Sequence, residues 1–179
     1  DEDPYYCANL LRTLPCGLIG VKGNCDYSSD EELLSIELPN IRQIPFRLTH
    51  TIYLCHHPVG IPLPPGDIFM HGHTHRKRLE TIRGAIYFNP GSIALPRDGG
   101  MGYGILTEEA LQLKDALTRE VIQEITLAWW LPRETLTKNT CKILLFWSIF
   151  LAKDSFSNGK LCSDFFFLST MDNSDAKIY

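Results

Sequence analysis

An α/β fold is the class this 179-residue sequence predicts, on three observations. First, apolar residues at helical spacing (Tyr6, Leu10, Leu14) run into Pro15 and then into the continuous apolar stretch Gly17 to Val21, the pattern of a helix followed by a buried strand. Second, three short apolar runs each end in a polar cluster: Lys22-Gly23-Asn24-Cys25-Asp26, then His56-His57, then His71-Gly72-His73-Thr74-His75. A parallel or mixed sheet would bring such strand ends to one edge, where open α/β sheets build their sites. Third, alternating runs at 104–107, 110–114 and 120–125 read as the strands of a meander, with Glu108-Glu109 in one turn.

The remaining elements follow in order. Ser28-Ser29-Asp30-Glu31-Glu32 has the form of a helix cap and an acidic first turn, with Leu33, Leu34 and Ile36 as the apolar side and Pro39 as the stop. Residues 46–49 and 51–55 are rich in β formers and are read as a hairpin about His50. Pro62, Pro64 and Pro65, with Gly60 and Gly66, make an irregular loop before a short strand at 67–70. Residues 78–82 and 85–88 flank Arg83-Gly84 as a two-residue hairpin turn. Asn89-Pro90-Gly91-Ser92 fits a type II turn. From Trp129 onward the aromatic clusters have no clear period and carry no motif.

The histidines are the strongest chemical signal. In an extended segment His71, His73 and His75 would share a face, and converging neutral imidazoles are what a transition metal requires. Gly72 permits the backbone to bend there. A surface histidine cluster or a structural zinc site would show the same spacing, and a simple turn would account for Lys22 to Asp26.

Composition narrows the rest. A length of 179 residues favours one domain, and the net charge of −4 argues against a general nucleic-acid-binding surface. The acidic start Asp1-Glu2-Asp3-Pro4 contains no apolar signal region. The longest strongly apolar run, residues 143–152, is half of the roughly twenty residues that a spanning helix needs. The six cysteines include no CxxC pair, which excludes a cysteine-based zinc finger; they are read as reduced thiols in a cytoplasmic protein.

Gly23-Asn24-Cys25-Asp26, Leu54-Cys55-His56, Gly72-His73-Thr74-His75 and Asn89-Pro90-Gly91-Ser92, in this order, resemble the calcineurin-like metallophosphoesterases, and among them the YfcE-type phosphodiesterases, over residues 5–127. The resemblance implies a β-sandwich flanked by helices. It also implies phosphodiester hydrolysis by a metal-activated water at two divalent ions, manganese first, with zinc, nickel or iron as alternatives. Asn24, His56 and His73 would hold one ion and His75 the other. Cys25, the candidate catalytic residue, stands where many members carry a histidine that assists the leaving group. His57 falls where relatives often have glycine, and its role is open between support and bystander. The family's Asp-x-His and Gly-Asp motifs do not occur upstream of the first helix. Gly66-Asp67 precedes its strand instead of following one, so it is rejected as the bridging carboxylate. Residues 1–127 therefore read as a partial phosphoesterase domain with impaired activity, and 128–179 as an unassigned extension. A non-catalytic scaffold resembling the retromer subunit of this fold is the alternative.

Overall fold

The structure, a computed structural model, describes residues 9, 13, 17–24, 26, 31–32, 34–46, 49–107, 109–127, 142–147 and 166–171. It is a two-sheet α/β assembly. One sheet has five strands: β2 (Ile41–Phe46), β3 (His50–Cys55), β4 (Ile68–His71), β5 (Lys77–Ile82) and β6 (Ala85–Pro90), in the order β2-β3-β4-β6-β5. The other has six: β1 (Gly17–Val21), β7 (Gly102–Leu106), β8 (Ala110–Asp115), β9 (Val121–Thr126), β10 (Lys142–Trp147) and β11 (Phe166–Met171), in the order β1-β11-β10-β7-β8-β9.

The five-stranded sheet is mixed. β3, β4 and β6 run parallel, and the two edge strands pair antiparallel to them. Its inner face is built from rows in register: Ile52 beside Ile68 beside Ile86, and Leu54 beside Met70 beside Phe88, all fully buried. The period of two along each strand puts these residues on one side. They form one core with Val21, Leu106, Leu111 and Leu113 of the other sheet, so the two sheets pack face to face. Arg42 adds a polar tie, donating from Nε to Gly20 O (3.3 Å) and from Nη2 to Glu37 O (2.9 Å).

Several sequence expectations change here. The hairpin before His56 pairs Ile41–Phe46 with His50–Cys55, so its first strand lies further upstream than residues 46–49, and Thr49 is in the turn. Pro45 is tolerated because β2 is an edge strand, where a missing N–H costs no interior ladder bond. Glu31, Glu32 and Leu34 are helical, but Ser35 turns to φ 57° and ends the helix ahead of Pro39. The helix expected at 5–14 lies outside the described residues except for Asn9, which is helical, and Thr13, in a turn; the Asn9 carbonyl accepts Thr13 N–H at 3.2 Å, the spacing of an α-helical bond. The three polar clusters do not leave one sheet: Asn24 follows β1, while His56 and His73 follow strands of the other sheet. Two strands also occur beyond residue 128, where no element was expected: β10 and β11 lie between β1 and β7. Among the described residues no helix is long and apolar enough to cross a membrane.

Candidate metal centre

β3 and β4 are parallel with Cys55 beside His71, so the loops that leave them start side by side. Gly72 N–H donates to His56 O at 3.0 Å and locks the two loops together. Asn24 arrives from the opposite layer, in a turn where the buried carboxylate of Asp26 accepts Gly23 N–H and Lys22 N–H donates to Pro39 O (3.0 Å). The result is a convergence of lone-pair atoms. His56 Nε2 lies 2.6 Å from Asn24 Oδ1 and 3.1 Å from His73 Nδ1. Without an ion, one ring N–H of His56 can be shared between these two acceptors. With bonds of about 2.1 Å, neighbouring ligand atoms around a divalent transition metal stand about 3 Å apart, so the donor set and its spacing fit such an ion. His56 is buried at the base while Asn24 and His73 are exposed, which leaves the centre open on one side.

The His71–His75 segment does not stay extended. The strand stops at His71, which turns into the interior, and His73 (φ 61°) and His75 (φ 58°) both adopt the left-handed conformation. Such non-glycine residues cost of order 1–3 kcal/mol each and persist where their surroundings impose them. Here the Asn89-Pro90-Gly91-Ser92 turn imposes them. The fully buried Asn89 donates from Nδ2 to Gly72 O and to Thr74 Oγ1, both at 3.0 Å, and its Oδ1 accepts Gly91 N–H at 2.9 Å. Ser92 Oγ accepts Leu95 N–H (2.9 Å), which sets the Leu95 carbonyl to accept the Nδ1–H of buried His75 at 3.0 Å. That bond fixes the His75 tautomer and leaves its Nε2 with the lone pair a metal requires.

The fold has counterparts among known proteins. The model of the calcineurin-like phosphoesterase superfamily domain matches residues 2–110. The chain belongs to the calcineurin-like phosphoesterase superfamily. Phosphodiesterase YfcE of Escherichia coli (strain K12) is 28% identical over 130 residues, 69% of this chain and 71% of that protein. The solved structure of Yfce, a phosphoesterase from E. coli, superimposes with a TM-score of 0.60 at 25% identity, covering 69% of each chain. Vps29 from Entamoeba histolytica gives a TM-score of 0.39 at 17% identity, too loose a match to bear on function. Calcineurin-like phosphoesterases depend on metal ions and act on phosphoesters, which is the chemistry that the YfcE-type motifs led one to expect.

Within this phosphoesterase fold, the expected ligands Asn24, His56 and His73 come together. His75 stands apart from that group, facing Leu95. Cys25 lies outside the described residues. Asp67 sits at the start of β4, the end away from His71, and its Oδ1 accepts Thr51 N–H at 3.0 Å, so it is occupied in joining β3 to β4. His57 joins His56 and His73 in the one group of metal-ligating side chains among the described residues. Its signal in the sequence was only its adjacency to His56 directly after a strand.

Proposed function

We propose that this chain is a metal-dependent phosphodiesterase centre in which Asn24, His56 and His73 hold a divalent transition-metal ion and His75 serves a second. The convergence of Asn24 Oδ1, His56 Nε2 and His73 Nδ1 carries the reading. Bound divalent ions supply a more acidic water and neutralise charge on phosphate oxygens. The protein's part is to hold neutral imidazoles and an amide oxygen at fixed positions on an open rim, so that a phosphodiester can approach from solvent. Protons compete with metal for the imidazoles, so binding weakens in acid. Manganese is the first ion to test, with zinc, nickel and iron beside it.

Residues 1–179 contain no Asp-x-His motif, and their single Gly-Asp is committed to the β3–β4 joint. Among the described residues no carboxylate joins the clustered donors, so turnover by residues 1–179 alone is expected to be weak. The test is metal content after loading with manganese or zinc, with hydrolysis of bis(p-nitrophenyl) phosphate measured in parallel. Wild type takes up metal and His73→Ala does not. Equal uptake by the variant overturns the site, and robust turnover by residues 1–179 overturns the impairment.

A further inference from the structure

We infer that His57 is an additional metal ligand in this chain, and that it turns the centre toward zinc-like ions over manganese. The inference rests on the metal centre proposed above and goes beyond its four ligands. His56, His57 and His73 each offer one ligand atom, and these atoms all lie within 4.8 Å of one another. The His57 ring lies against His73, tilted by 48° with centroids 4.0 Å apart, and meets His56 edge-on at 4.7 Å. His57 is exposed, and its ring packs against the imidazoles of the centre instead of standing free in solvent. Its backbone is held there: the Cys55 thiol donates to His57 O at 2.7 Å. A tetrahedral ion with bonds of about 2.1 Å needs its nitrogens about 3.4 Å apart, a closure of at most about 1.4 Å from the present 4.8 Å limit, which rotation of the exposed ring can supply.

The chemistry of the donors then sets the preference. Imidazole nitrogen suits zinc, nickel and copper, whereas carboxylate and water suit manganese and magnesium. The clustered donors are three imidazoles and one amide oxygen, and among the described residues no carboxylate joins them. The nearest acidic group in sequence, Asp26, is turned to Gly23 N–H instead.

The experiment uses the full chain stripped of metal. Zinc and manganese affinities are measured by competition with a chromophoric chelator, and the ligand-field spectrum of the cobalt(II) form is recorded for wild type, His57→Ala and His73→Ala. Loss of an outer-shell partner costs about 10–100-fold in metal affinity, so loss of a ligand is expected to cost zinc about 100-fold, with manganese changed far less. The cobalt bands of His57→Ala are expected to shift. A zinc loss below about tenfold, or an unchanged cobalt spectrum, overturns the role of His57. If wild type and His73→Ala bind metal alike, the centre itself is refuted. Matching far-ultraviolet circular dichroism of the metal-free variants confirms that folding is not what changed.

Discussion

His71 shows what burial does to a single imidazole. Its Nδ1–H donates to Gly72 O at 3.1 Å, and its buried Nε2 has no hydrogen-bond partner among the described residues. Loss of hydration pushes its pKa below the ordinary 6.5, and nearby Arg78 and His73 push the same way, while the bond to Gly72 partly opposes them. The folded chain therefore binds this proton less readily than the unfolded chain. As pH falls through the unfolded value, the unfolded state gains a proton that the folded state declines, so stability drops by at most about 1.4 kcal/mol per pH unit until the folded value is passed. Denaturant unfolding of metal-free protein between about pH 7.5 and 5.5 should show a shallower loss for His71→Gln than for wild type. Equal slopes would contradict this account. The sequence placed three histidines at alternate positions, which made a metal centre legible. It did not show that His71 points inward while His73 and His75 are left-handed, because those conformations depend on Asn89, 15 residues from Thr74, and on Leu95, 20 residues from His75.

At the scale of elements, the β5–β6 hairpin was the easiest to read, because a two-residue turn announces itself locally. Ile82 pairs with Ala85 across Arg83 (φ 51°) and Gly84 (φ 84°), both left-handed as a type I′ turn demands. Glycine suits the second position, where a Cβ would also come within 2.9 Å of Pro65 Cβ. Arginine does not suit the first. Arg83→Asn should therefore raise stability by about 0.5 kcal/mol, and Gly84→Ala should lower it by about 1–2 kcal/mol. Urea unfolding midpoints at unchanged slope check both, and a destabilised Arg83→Asn would refute the turn assignment. β2 was harder to place, since Pro45 argues against a strand until its position at a sheet edge is known. The β10 and β11 segments were illegible for a different reason. Their apolar and aromatic runs lack both the twofold and the helical period, and strands with neighbours on both sides need not show either.

At the scale of the molecule, β11 pairs with β1 on one side and β10 on the other, with Ser169 opposite both Leu18 and Leu144. The strand leading to Asn24 thus gains its ladder from residues about 150 positions further along the chain, a pairing that local patterns cannot announce. A proline at Ser169 removes a donor from an interior strand and should cost about 3 kcal/mol or more. For a chain of this size that corresponds to a melting temperature lower by about 6–12 °C. Calorimetry of full-length Ser169→Pro tests it, and an unchanged transition would mean that residues 166–171 do not belong to the sheet.

Asn24 stands on one layer, and His56 and His73 stand on the other. An ion gripped by all three is therefore a clasp across the sandwich, at a seam that the backbone ladders of either sheet do not cross. Cation occupancy and the alignment of the layers become two faces of one equilibrium: whatever slides one layer over the other loosens the ion, and the ion in turn resists the sliding.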